Sequence, residues 1–143
     1  MTQDIDQSLF RAVKEVQLRF SDLDTLGHVN NSVYFSLLDL AKSDYFDKVQ
    51  GRKLDWTNVT IVLANVNCSF FKQILYDEPI AVKTRTAAIG DKSLTLEQII
   101  VNTDTGEVKC LSRSIMVYIE PKTLTPEPLP PHWRDALTAY DHL

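Results

Sequence analysis

An α+β fold, with one long helix packed on an antiparallel sheet, is what this 143-residue sequence predicts. Three observations carry it. Residues 30–51 repeat apolar side chains at helical spacing, and no other stretch does so for as long. Residues from about 60 to 119 instead follow the two-residue period of strands, interrupted by the turn sequences "GDKS" and "DTGE". One amphipathic helix beside one run of hairpin-linked strands is an α+β arrangement.

The elements follow in chain order. Residues 13–20 alternate at their end, with Val16, Leu18 and Phe20 set against Gln17 and Arg19, which predicts a half-buried strand. The polar stretch "FSDLDTLGHVNN" (20–31) follows as a loop. In the helix, Val33, Tyr34, Leu37, Leu38, Ala41, Tyr45 and Val49 form one broad stripe. Asn30, Asn31 and Ser32 are N-cap types, and Gly51 is a stop. Phe35 and Phe46 fall off the stripe, so the helix is expected to be covered on two sides. Residues 59–71 read as a strand with Val62, Ala64, Val66, Cys68 and Phe70 on one face. "ILYDEP" (74–79) turns the chain, and 80–89, 94–103 and 107–119 follow as strands, which predicts an antiparallel meander of three or four strands. Five of the six prolines lie in 120–131, a stiff extended arm. A short helix ends the chain with Trp133, Leu137 and Tyr140 on one side. The expected division is a domain over 1–120 and an arm plus helix over 121–143.

Bulk properties narrow the function. The composition, 44% hydrophobic and 24% charged, is that of a globular protein. A formal net charge of −4 with scattered basic residues speaks against nucleic acid as a partner. Cys68 and Cys110 sit in apolar strand-like runs and read as reduced, buried thiols, which suits the cytosol. The N-terminal residues lack a signal-peptide core, and no apolar run is long enough to span a membrane. A soluble, cytoplasmic protein without a membrane partner is expected.

The polar loop admits four chemistries. As a calcium loop, Asp22, Asp24 and Gly27 would take positions 1, 3 and 6, but Leu26 and Val33 then stand where oxygen ligands belong. His28, His132 and His142 have no metal-ligand spacing, so no metal is expected. No Gly-x-Ser-x-Gly occurs, and a thiolate at Cys68 would be costly in an apolar strand. The fourth is a carboxylate beside a helix N-terminus. Unpaired N–H groups of a first helical turn can stabilise an oxyanion, and Asp24, Gly27 and the Asn30–Asn31 helix start supply the parts. The plainer alternative has Asp24 capping a turn and Asn30 capping the helix, and spacing alone favours it.

"RFSDLDTLGHVNNSVYFSLLDLAK" resembles the signature of the hot-dog-fold acyl-CoA thioesterases of the 4-hydroxybenzoyl-CoA thioesterase type, through Asp24, Gly27, His28, Val29, Asn30, Asn31 and Tyr34. "IGDKS" (89–93) is similar to a hairpin of that family. The resemblance implies a hot-dog fold, an antiparallel sheet wrapped around one long central helix, with a dimer of one continuous sheet and sites at the dimer interface. It implies Asp24 as catalytic nucleophile or general base, and Asn31 as the helix-start residue that serves the carbonyl or a water. His28, Asn30 and Tyr34 would shape or line the substrate site. The implied substrate is an acyl-CoA, with no cofactor and a homo-oligomeric partner, dimer or tetramer; the off-stripe Phe35 and Phe46 suggest the tetramer. The family's helix glutamate and arginine are here Asp39 and Lys42, expected to pair with each other. Asp22 is extra to the pattern and reads as a cap, and Lys83, Arg85, Lys92 and Arg113 are weaker candidates for coenzyme A phosphates. A non-catalytic acyl-thioester-binding domain that docks a partner through its Trp133 helix is the alternative, ahead of a dehydratase.

Overall fold

The computed structural model describes residues 4–55, 57 and 60–143. Val59, at which the predicted strand over 59–71 begins, lies outside them, as do the first three residues. The elements run β1 (Ala12–Val16), α1 (Asn31–Gln50), β2 (Ile61–Phe70), β3 (Ile80–Ile89), β4 (Ser93–Asn102), β5 (Val108–Tyr118) and α2 (Pro131–Asp141). The five strands form one antiparallel sheet in the order β1-β3-β4-β5-β2. The meander is therefore β3-β4-β5 alone: β2 does not pair with β3, which follows it in the chain, but lies across the sheet beside β5, so that β1 and β2 are the two edges.

α1 begins and ends where its caps dictate. The Asn30 side chain accepts the Ser32 N–H, and Gly51 closes the helix in the left-handed conformation. The stripe Tyr34, Leu37, Leu38 and Ala41 packs with Ile80, Val82, Ile100 and Cys110 on the inner face of the sheet. Further along, Tyr45, Phe46 and Val49 pack with Leu94, Leu96, Met116, Trp133 and Leu137. The outer face of β4 has its own small cluster, where Phe10 joins Ile99, Val101 and Val108.

Three expectations need correction. The first strand stops at Val16, because Phe20–Asp22 form a 3₁₀ turn; Leu18 is buried but Phe20 is 79% exposed. The apolar face of the 59–71 stretch is split by a bulge at Ala64, which shifts pairing between Leu63 and Asn65. Val66, Cys68 and Phe70 share the inner face with Ser114, Ser112 and Cys110, but beyond the bulge Leu63 and Ile61 take it over from Val62. As an edge strand, β2 also leaves Val62, Leu63, Val66 and Phe70 exposed and Cys68 only half-buried. Finally, Phe46 meets Trp133 of α2 edge-on at 5.6 Å, so its second contact lies within the chain and is no argument for a tetramer. Trp133 is buried by the same contact, which removes it as a free docking element.

α2 is tied down by polar contacts as well. The Tyr45 hydroxyl, fully buried, bonds to the Asp141 carboxylate and to Thr86 Oγ1 at 2.6 Å. The Thr86 N–H donates to Asp141 Oδ2 at 2.9 Å. Burial pushes the Tyr45 hydroxyl well above its ordinary pKa, helped by the Asp141 charge, so it serves as a neutral donor.

Candidate active site

Residues 23–29 form a tight hairpin. Leu23 bridges Val29, the Asp24 N–H donates to the His28 carbonyl at 2.8 Å, and the Gly27 N–H donates to the Asp24 carbonyl at 3.2 Å. Gly27 sits at φ +79°, where only glycine is unstrained. The Asp24 side chain closes the turn as well: Oδ1 accepts the Leu26 N–H at 2.9 Å and the His28 N–H at 3.3 Å. Oδ2 accepts no hydrogen bond among the described residues. The carboxylate is thus oriented by one oxygen and free at the other.

The hairpin is fastened to the start of α1. The Asn30 N–H donates to the Asp22 carbonyl at 2.9 Å. Asn30 Oδ1 accepts both the Ser32 N–H at 2.9 Å and the Ser32 hydroxyl at 2.8 Å. The Val33 N–H is satisfied by the Asn30 carbonyl at 2.9 Å. The Asn31 N–H alone among these has no acceptor among the described residues. Asn31 lines a depression of about 270 Å³ with Tyr34, Phe70, Phe71, Lys72 and Gln73. Tyr34 forms its inner wall, 2% exposed and edge-on to Phe70 at 5.1 Å. Its hydroxyl is pushed up to about 12 by burial, and so stays neutral.

Asp22 plays a structural part. It is buried, accepts the Arg19 N–H at 2.8 Å, and pairs with the Arg19 guanidinium at 2.9 Å. That hydrogen-bonded pairing holds its carboxyl below the ordinary aspartate value. His28 contributes its backbone to the hairpin and bridges Leu75; its imidazole bonds to nothing among the described residues. Asn30 is spent on capping.

A second support lies behind the hairpin. The Val29 N–H donates to the Ile74 carbonyl at 2.9 Å, and Ile74 is fully buried. Its loop is clamped by Glu78, which accepts the Leu75 N–H at 2.8 Å and pairs with the buried Lys109 at 2.6 Å. Lys109 also meets Glu107 at 2.8 Å. The sequence offered no sign of this clamp, since Glu78 and Lys109 are far apart in the chain and stand in ordinary charged positions. Nor did it flag Phe70–Gln73, which enter the site only because β2 ends beside α1.

Two charge expectations resolve differently. Asp39 and Lys42 do pair, at 3.4 Å. Arg85 and Arg113 both grip Glu97 on the outer face of the sheet, opposite α1, and Lys83 donates to Gln7 at 3.0 Å. Among the described residues no cluster of His, Cys, Asp and Glu has the makings of a metal site.

The family model described as the thioesterase-like superfamily matches residues 18–137. The chain belongs to that superfamily. Its five-stranded antiparallel sheet around α1 is the hot-dog fold, as the resemblance implied. A thioesterase from Thermus thermophilus, crystallised with coenzyme A and zinc, is similar at a TM-score of 0.83 and 30% identity, over 94% of this chain and 96% of that one. The uncharacterized protein YsmA of Bacillus subtilis (strain 168) is 29% identical over 110 residues, 77% of this chain and 74% of that protein. The long-chain acyl-CoA thioesterase FadM of Escherichia coli (strain K12) is 24% identical over 112 residues, 76% of this chain and 83% of that protein. For a thioesterase-like chain, the hairpin carboxylate and the Asn31 N–H left unpaired at the helix start are the two features that bear on chemistry.

Proposed function

We propose that this thioesterase-like chain hydrolyses acyl-CoA thioesters, with Asp24 as the catalytic carboxylate and the start of α1 at Asn31 as the oxyanion site. One observation carries the reading. Asp24 is held by Oδ1 alone, on a hairpin whose far strand runs directly into the unpaired Asn31 N–H. In the proposed step, Asp24 Oδ2 takes a proton from a water whose oxygen attacks the thioester carbonyl carbon. The negative charge that develops on the carbonyl oxygen is met by the Asn31 N–H and the positive end of the helix. Collapse breaks the carbon–sulfur bond, and the departing thiolate receives the proton from Asp24. Tyr34 and Phe70 supply an apolar wall, and His28 and Asn30 keep the loop in shape. The coenzyme A-bound relative supports the substrate class.

The site lies at the open edge of the sheet. Among the described residues β2 has no strand beyond it, and it exposes Val62, Leu63, Val66 and Phe70. A second copy paired there would satisfy the free edge and wall the depression at Asn31. A homodimer is therefore part of the proposal, checked by light scattering at micromolar concentration; a monomer would contradict it.

The direct test is thiol release from short, medium, long and aromatic acyl-CoAs. Asp24→Asn keeps the acceptor for the Leu26 and His28 N–H groups but removes the base, so turnover should fall by about 10²–10⁴-fold while the melting curve is preserved. Unchanged turnover in that variant would refute the assignment of Asp24. Coenzyme A binding with no release from any thioester would favour a binding domain instead.

A further inference from the structure

Two thiols share the inner face of the sheet beside the site. Phe70 of β2 pairs with Cys110 of β5, and Cys68 pairs with Ser112, so Cys68 and Cys110 stand on neighbouring strands, on one face, two residues apart in register. Such diagonal neighbours have their α-carbons about 7–8 Å apart and their side chains closer. The two sulfurs are joined by a hydrogen bond rather than a disulfide. Cys110 is fully buried, whereas Cys68 is half-buried.

The pair is asymmetric. The bond from Cys110 holds the Cys68 thiol below its ordinary pKa, while the same bond and burial push the Cys110 thiol well up. Cys68 therefore supplies the thiolate, and Cys110 keeps its proton. Cys68 is also the one within reach of a small solute. It lies on an edge strand, and its inner-face neighbours on that strand, Val66 and Phe70, are exposed. Neither cysteine has a part in the hydrolysis proposed above, yet both adjoin it. Cys110 packs in one cluster with Tyr34, both sulfurs lie close enough to act on the Tyr34 hydroxyl, and Tyr34 meets Phe70 edge-on.

We propose that Cys68 and Cys110 form a redox-modification site, oxidised by a peroxide to a disulfide that ties β2 to β5. The Cys68 thiolate attacks one peroxide oxygen and the O–O bond breaks. The departing hydroxide takes up the proton that Cys68 lost, which leaves a sulfenic acid and one water. The Cys110 sulfur then attacks the Cys68 sulfur, the S–O bond breaks, and hydroxide leaves with the Cys110 proton as a second water. Two electrons pass from the thiols to the peroxide, and exchange with a reducing thiol restores the pair. The bridge also moves a strand. A disulfide holds its α-carbons within about 6.8 Å, so closing it slides β2 past β5 by roughly an ångström. Among the described residues β2 is paired on one side only and is already irregular at Ala64, so it is the strand that yields. Cys110 lies opposite Phe70, so the slide carries Phe70 off its pairing position and along the wall of the Asn31 depression. That effect on the site rests on the acyl-CoA reading; the thiol chemistry does not.

The test treats the reduced full chain with hydrogen peroxide and counts thiols after denaturation. Both should be lost together, the mass falling by two hydrogens with no cross-linked dimer, and dithiothreitol should restore them. Cys110→Ala should stop at a sulfenic acid on Cys68, trapped by dimedone, and Cys68→Ser should leave the Cys110 thiol intact. As the bridge forms, kcat/KM for acyl-CoA should fall about tenfold, the scale of a small displacement at a site, and it should hold in peroxide-treated Cys110→Ala. Survival of both thiols, a bridge between copies, or oxidation of each cysteine without the other would overturn the redox pair. A bridge that left kcat/KM unchanged would overturn its hold on the site. A reduced chain that hydrolysed no acyl-CoA would sink the acyl-CoA reading, while the thiol counts still decided the pair.

Discussion

Asn30 shows how much one side chain can set. Its carboxamide oxygen takes two donors from Ser32, its N–H ties the helix to Asp22, and its carbonyl takes the Val33 N–H. The Asn31 N–H is left over because a first-turn N–H has no acceptor within the helix, and none of the described residues supplies one. Asn30→Ala should cost about 1 kcal/mol in urea unfolding, the usual worth of an N-cap, and should lower turnover as the first turn frays. A variant with the parent's stability would show that the cap is redundant. At this scale the sequence was informative where bonds are local. Asp24, Gly27 and Asn30 act through backbone groups close by in the chain, which spacing can reveal. Spacing alone favoured the capping reading of Asp24 over the catalytic one, and the two are not exclusive, because the same carboxylate caps with one oxygen and keeps the other free.

The loop between β2 and β3 acts as one unit with the hairpin, through the Val29–Ile74 hydrogen bond and the Glu78–Lys109 clamp. Burial works to raise the Glu78 pKa, but its bonds to Lys109, the Leu75 N–H and Asn102 prevail and hold it below the ordinary glutamate value. A carboxylate lowered in the folded state contributes stability that is present above its unfolded value and lost as pH falls through the folded one. The parent should therefore melt higher than Glu78→Gln at pH 7, and the gap should shrink as pH is taken down to about 3. A gap that is constant with pH would assign the effect to packing. Element boundaries were legible where turn residues mark them: β3, β4 and β5 fall within a residue of their predicted ranges. The bulge at Ala64 was not, because Val62, Leu63 and Ala64 are apolar whichever face they take.

On the scale of the whole molecule, the helix and sheet need α2 to finish the core. Trp133 and Leu137 close over Phe46, and Asp141 anchors Tyr45 from the same helix. Trp133→Ala should cost about 3–5 kcal/mol, read by thermal or urea unfolding, through the cavity it opens beside Phe46. A loss below about 1 kcal/mol would mean that α2 is an accessory. The amphipathic pattern revealed this helix, but not the surface it covers, since Phe46 pointed as well to another subunit as to its own chain. The sheet's two edges differ in a way that bears on growth. β1 is five residues long, and the Lys48 ammonium fills its Val13 carbonyl at 2.9 Å, so it is a poor template for another strand. β2 is ten residues long but interrupted at Ala64. When two copies join antiparallel along β2, each uses up the other's only good template, and what remains outward is a pair of blunted ends. Assembly along the sheet then terminates at two, where a molecule with two equal edges would keep adding copies without limit.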